Sequence, residues 1–147
     1  AFRTQLNWAK EHALPVAIHT REAFPLILDL VEEAQDGRLK GVFHCFTGNA
    51  AEAERIMKLG FYMGIGGVLT YKKSHLPEIV QNIPLDFLLL ETDSPYLPPV
   101  PYRGKRNESS YLTETALKLA AIKQIPLNQL AEITTKNARK LFNIHIL

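Results

Sequence analysis

Four short apolar runs, none of them alternating and each closed by polar residues, constrain this chain more than any other feature. Pro15-Val16-Ala17-Ile18 runs into His19-Thr20-Arg21, and Gly41-Val42-Phe43 runs into His44-Cys45-Phe46-Thr47-Gly48. Phe61-Tyr62-Met63-Gly64-Ile65 ends in Gly66-Gly67, and Phe87-Leu88-Leu89-Leu90 ends in Glu91-Thr92-Asp93-Ser94-Pro95. A strand with one wet face alternates apolar and polar residues; a continuously apolar run is buried on both faces, which points to a parallel sheet covered by helices. The carboxyl ends of parallel strands form one rim, where side chains face a shared crevice. His19, His44 and Asp93 on that rim make a candidate metal site.

Helical patterns separate the runs. Phe2, Leu6, Ala9 and Ala13 mark one face of a first helix, closed by Pro15. Leu26, Ile27, Leu30, Val31 and Ala34 recur at helical spacing before Asp36-Gly37. Asn49 and Glu52 form a capping-box pattern for a helix over residues 50–59, which Gly60 ends. Ser74 is placed to cap a short helix carrying Leu76, Ile79 and Val80. Strands are expected over residues 15–19, 41–45, 61–66 and 86–92, and two helices close the chain, the last carrying Leu130, Ile133, Ala138, Leu141 and Phe142. The rim positions His19, His44, Gly67 and Asp93 recur about every 25 residues, near the length of one βα unit. An eightfold barrel needs about 250 residues, so 147 residues suit either half a barrel or a small doubly wound sheet.

The 46% hydrophobic and 22% charged fractions describe an ordinary globular domain, and residues 1–147 read as a single one. No apolar run approaches the roughly 20 residues of a membrane helix, and no membrane association is expected. The amino terminus carries no signal or transit pattern, and the sole cysteine, Cys45, fits a reducing compartment; the expected location is the cytoplasm. Because the chain does not begin with Met, it is expected to start inside a longer gene product.

Imidazole nitrogen and carboxylate oxygen are ligands that Zn²⁺ and Mn²⁺ accept, and a barrel rim brings them together from separate strands. His12, His75 and His145 lie at helix or chain ends and are assigned no role. Cys45, next to His44 in an extended strand, is expected to point to the opposite face, towards the helices. Gly64, Gly66 and Gly67 indicate close approach by a ligand or by backbone, or a bulge. Positive charge gathers in the loops of the same rim: Arg21, Lys72, Lys73, Arg103, Lys105 and Arg106. Arg103 and Arg106, on a loop stiffened by Pro95, Pro98, Pro99 and Pro101, suit phosphate oxygens, so the expected substrate is a phosphate-rich anion.

Six blocks in order now resemble one family. They are Ile18-His19-Thr20-Arg21-Glu22-Ala23, Phe43-His44-Cys45-Phe46-Thr47-Gly48, Gly64-Ile65-Gly66-Gly67, Leu90-Glu91-Thr92-Asp93-Ser94-Pro95-Tyr96-Leu97, Pro101-Tyr102-Arg103-Gly104-Lys105-Arg106-Asn107-Glu108, and Thr134 to Phe142. Together they resemble the TatD family of metal-dependent hydrolases over essentially the whole chain. The resemblance implies a TIM-type (β/α)8 barrel of the metallo-dependent hydrolase kind, of which this chain holds about four C-terminal βα units. It implies a deoxyribonuclease that hydrolyses DNA phosphodiesters with metal-activated water, using two divalent ions (Zn, Mg or Mn) per complete site. His19 and His44 then correspond to ligands of one ion, and Asp93 to a ligand of the other and the acceptor of the water's proton. Arg21, Arg103, Lys105 and Arg106 correspond to phosphate-binding positions. Glu91, two residues before Asp93, is expected to share its strand face and to orient the site.

The chain departs from the family pattern in lacking a His-x-His pair and a Gly-Glu-x-Gly-Leu-Asp block; Ser109 also stands where many relatives have proline. About half of a two-metal centre is therefore expected here, completed by a missing amino-terminal half or accompanied by self-association through open sheet edges. Two alternatives share the residues. One is a D-aminoacyl-tRNA deacylase or another amidohydrolase-type enzyme on the same fold; the other is an inactive fragment or a paralogue that binds nucleic acid without cutting it.

Overall fold

A computed structural model describes residues 1–20 and 22–144. Helices and strands alternate: α1 (Phe2–Glu11), β1 (Val16–His19), α2 (Phe24–Ala34), β2 (Gly41–His44), α3 (Ala50–Lys58), β3 (Tyr62–Ile65), α4 (Leu76–Gln81), β4 (Leu88–Leu90), α5 (Leu112–Lys123) and α6 (Leu127–Phe142). Three short 3-10 turns, at Gly67–Thr70, Leu85–Phe87 and Ser109–Tyr111, have no signal in the sequence pattern. The strands lie side by side in chain order, all parallel. β1 and β2 carry their pairing one residue past the apolar runs, through His19 and His44, whereas β3 and β4 end with their runs at Ile65 and Leu90.

Local signals explain the helix limits. Asn49 accepts from the Glu52 amide, and Glu52 reaches back to the Asn49 amide at 2.7 Å, giving α3 a full capping box. Gly60 follows α3 at φ 74°, the left-handed conformation in which glycine carries no penalty. The N-cap of α4 is His75 rather than Ser74, whose hydroxyl instead accepts from the Leu76 amide. Lys123 fastens the end of α4 and the turn after it: its Nζ donates to the carbonyls of Val80, Gln81 and Ile83. Burial lowers the pKa of that amine.

The register sorts strand residues into two faces. His19 pairs with His44, Ala17 with Val42, Val42 with Tyr62, and Gly64 with Leu89, so these residues share one face. The other face carries Ile18, Phe43, Met63, Ile65 and Leu88 into the main core with Leu28, Val31, Ile56, Leu119 and Leu130. Burial on this helix-covered side is deep; burial on the first side is not. There, Val42 and Leu89 form a small cluster with Leu141, flanked by Tyr62 and Ala138, while Ala17 and His19 are exposed. The apolar runs predict two covered faces, and the structure covers one fully and the other in part.

The outer edge of β4 is closed by α6. Asn137, only 6% exposed, donates through Nδ2 to Leu85 O at 2.8 Å and Leu88 O at 2.9 Å. It thereby satisfies carbonyls that no further strand pairs among the described residues. Asn137→Ala leaves two carbonyls without their donor and is expected to lower stability by about 1–3 kcal/mol. Urea denaturation followed by circular dichroism checks this, with Asn49→Ala, expected to cost about 1 kcal/mol, as the comparison.

Candidate metal centre

β1 and β2 end in register on His19 and His44, whose ring centroids lie 5.7 Å apart. Asp93 is three residues beyond the end of β4, in a turn where it adopts φ 56° and its carbonyl accepts from Tyr96 N at 2.8 Å. The turn, not the strand, brings its carboxylate inward, so that Oδ1 lies 3.0 Å from His44 Nε2. The other ring nitrogen, Nδ1, donates to Glu91 Oε1 at 2.8 Å. Glu91 also accepts from the Cys45 amide at 2.7 Å, while its own amide donates to Ile65 O. Burial raises the Glu91 pKa, against the opposing pull of His44 and of the Cys45 amide.

Gly64 makes this contact possible. It sits on β3, between the strand that carries His44 and the one that leads to Glu91; a Cβ there would land on the Glu91 carboxylate. Gly67 serves the loop that follows β4 in the same way, since a Cβ would collide with Leu97 O and come within 2.9 Å of Pro99 N. The expectation of close approach along the glycine-rich strand is met at both positions, by protein atoms.

Cys45 does not point away from the site. It takes φ 49°, which ends the extended strand and breaks the alternation. With its amide drawn to Glu91, it lines a cavity of about 550 Å³ together with His19, Thr20, Thr47, Asp93 and Tyr96. Burial, followed by the charges of Glu91 and Asp93, pushes the Cys45 thiol up to about 11.

The loop after Asp93 is stitched down at several points. Asn107, 3% exposed, donates through Nδ2 to Thr92 O and Tyr96 O, each at 2.6 Å, and through its amide to Pro95 O at 3.0 Å. Tyr71 donates to Pro98 O, and Val100 N donates to Thr70 Oγ1. Arg103 lies 3.9 Å above the Tyr71 ring, a cation–π contact that holds its guanidinium against the loop. Lys105 stands 5.8 Å from the Tyr102 ring, which stacks on Tyr111 at 3.8 Å. Arg106, Lys72 and Lys73 are exposed at the surface. Arg21 lies outside the described residues, as does His145.

The donor set fits a divalent cation in part. It offers two imidazoles and a carboxylate, and Thr20, whose buried hydroxyl has no hydrogen-bond partner among the described residues, lines the same cavity. Glu91 fixes the His44 ring through Nδ1, leaving Nε2 towards Asp93, which is how a carboxylate orients a ligating histidine. Among the described residues, no three His, Cys, Asp or Glu side chains are gathered into a set able to hold an ion alone. Spacing from Asp93 is enough to single out Glu91 in the sequence, but it gives no sign of Asn107, Thr20 or Tyr96 as parts of the site. The Asn107-Glu108 pair is visible as a pattern, yet nothing in it tells that Asn107 is buried.

Parallel βα units with their ionisable residues at one rim make this an α/β protein with a parallel sheet, and solved structures share the fold. The chain superposes on the TatD homologue YJJV of Escherichia coli K12 with TM-score 0.90 at 31% identity, covering 96% of this chain and 54% of that one. An uncharacterized amidohydrolase from Saccharomyces cerevisiae, at 19% identity and TM-score 0.81, shares the fold; the match covers 96% of this chain and 58% of that one. The family described as TatD related DNase matches residues 1–143, and the chain belongs to the TatD family. It is 44% identical to the uncharacterized metal-dependent hydrolase YabD of Bacillus subtilis, over 98% of this chain and 57% of that protein. It is 37% identical to a Yersinia pseudotuberculosis protein named 3'-5' ssDNA/RNA exonuclease TatD, over 98% of this chain and 58% of that protein. The chain thus spans a little over half the length of these relatives. No helix among the described residues is long and apolar enough to cross a membrane.

The Cys45 environment has a measurable pH signature. A thiol pKa raised to about 11 keeps the sulfur protonated at neutral pH, so alkylation by iodoacetamide is expected to keep accelerating up to about pH 11. Glu91→Ala removes a neighbouring negative charge and the acceptor of the Cys45 amide. The midpoint of the alkylation profile should move down, and amide exchange at Cys45 should quicken, both read by mass spectrometry.

Proposed function

We propose that this chain forms part of a divalent-metal-dependent hydrolase that cleaves phosphodiester bonds in nucleic acid. The observation that carries this reading is the placement of Asp93 Oδ1 3.0 Å from His44 Nε2, with the His19 ring tilted beside that of His44 and His19 and Asp93 lining one cavity on the carboxyl rim of the sheet. His19, His44 and Asp93 would hold metal, and a bound divalent ion supplies a water that ionises near neutral pH and stabilises charge on phosphate oxygens. Asp93 accepts the proton of the attacking water. Glu91 keeps the His44 ring in place and does not touch substrate. Arg103, Lys105 and Arg106, on the stitched loop that follows Asp93, contact substrate phosphates. The names of the relatives, metal-dependent hydrolases and an exonuclease acting on single-stranded DNA and RNA, support both the metal and the substrate class.

We further propose that these four βα units are the C-terminal half of a TIM-type barrel, and that the remaining strands supply the other metal ligands. The coverage of the relatives supports this, as does the exposure of Ala17 and His19 on the sheet face that carries the site. In a closed barrel that face is interior and filled.

The test is cleavage of a 5′-labelled single-stranded oligodeoxynucleotide by the full-length protein, with the remaining strands present, and Mg²⁺, Mn²⁺ or Zn²⁺. Chelation with EDTA is expected to abolish cleavage, and Asp93→Asn and His44→Ala each to lower kcat/KM by about 100-fold or more, the range of a lost metal-orienting or charge-stabilising group. Unchanged cleavage by Asp93→Asn would remove Asp93 from the reaction.

A further inference from the structure

Tyr96 is a large aromatic residue left 69% exposed on a segment that is otherwise held in place. Its amide donates to Asp93 O at 2.8 Å, and its carbonyl accepts from buried Asn107 at 2.6 Å. Its neighbour Leu97 adopts φ 51°, in the left-handed region that a branched side chain rarely occupies. Residue 96 is therefore fixed relative to Asp93 by a four-residue turn, while its ring stands free at the edge of the cavity that His19, Thr20, Cys45 and Asp93 line. Among the described residues, the ring makes no aromatic, cation–π or side-chain hydrogen-bond contact of the kind that engages Tyr71, Tyr102 and Tyr111. Exposed aromatic surface is costly in water, and a rigidly mounted ring offers a flat face with little entropy left to lose on binding.

We propose that Tyr96 is a base-stacking residue: the unpaired nucleobase next to the cleaved phosphodiester lies on its ring. The proposal rests on the phosphodiesterase reading of the site and deepens it by naming the residue that holds the base. A base inside a duplex has both faces covered by its neighbours, so a stacking ring beside the scissile bond favours single-stranded or frayed ends. It is tolerant of sequence, since every base has a π face. Tyr96 is thereby a positioning residue. It sets where the nucleotide sits and leaves the proton transfer to Asp93.

The test separates binding from cleavage. Fluorescence anisotropy of the protein with a labelled single-stranded oligodeoxynucleotide is compared with the same strand carrying abasic residues at its 3′ end. Stacking of one base is worth about tenfold in affinity, so the intact strand should bind about tenfold more tightly than the abasic one. Tyr96→Leu, which keeps apolar bulk without a π face, should bring the ratio of the two affinities close to one. Tyr96→Phe should retain the ratio. A 2-aminopurine at the 3′ end should be quenched on binding to the unaltered protein and to the Tyr96→Phe variant, and should stay bright on the Tyr96→Leu variant. The proposal is overturned if the unaltered protein binds both strands equally, or if Tyr96→Leu keeps the ratio and the quenching. These readouts need no catalysis: the expected binding pattern without metal-stimulated cleavage by the full-length protein would uphold the stacking site and defeat the hydrolase reading instead.

Discussion

The Glu91 carboxylate joins the parts of this site. One oxygen accepts from His44 Nδ1 and from the Cys45 amide, 2.8 and 2.7 Å away, and so ties the end of β2 to the segment after β4 across the intervening strand. The contact is part-buried and between charged or strongly polar groups, where such bonds are short and hold orientation well. From it follow the end of β2, the turned position of Cys45, the angle of the His44 ring and the side on which Nε2 meets Asp93. A carboxylate that fixes an imidazole by one nitrogen decides what the other nitrogen is free to do.

Asp93 depends on a different kind of support. No strand carries it; it stands in a turn, and the backbone around that turn is satisfied by Asn107 from the far end of the loop. The acid and the basic run Arg103-Gly104-Lys105-Arg106 thus lie on one stretch of chain, closed at its base by a single buried amide side chain. Arg103 is held in its turn, lying over Tyr71, which donates to Pro98 O within the same loop. A phosphate that docked there would meet a surface already arranged, and less conformational entropy would be lost on binding.

The order of elements, the parallel sheet and the rim are legible in the sequence because periodicity and the non-alternating runs report burial directly. The His19–His44 pairing follows from two apolar runs that end alike. Cys45 shows where such reading stops: alternation predicts its direction only while the chain stays extended, and the reversal at φ 49° depends on a carboxylate 46 residues away. The same logic puts Asp93 at a strand end, whereas its carbonyl belongs to a turn. Asn107 and Asn137 escape notice for a related reason. An asparagine that satisfies distant carbonyls looks, in sequence, like any polar surface residue, and only its burial sets it apart. Tyr96 reads as one letter of a motif; its exposure beside the cavity is a fact of three dimensions.

The third strand brings no ionisable group to the site. Its part lies in Gly64, and in Gly67 just beyond its end, where the lack of a side chain lets the Glu91 carboxylate and the backbone at Leu97 lie close. Selection on this protein therefore has to guard two hydrogen atoms as strictly as any acid or base. A catalogue of residues by chemical reactivity would omit both glycines, whereas a census of tolerated substitutions would place them among the least replaceable positions in the chain. An engineer seeking to move this rim onto another scaffold would have to transplant the empty space along with the histidines and the acids.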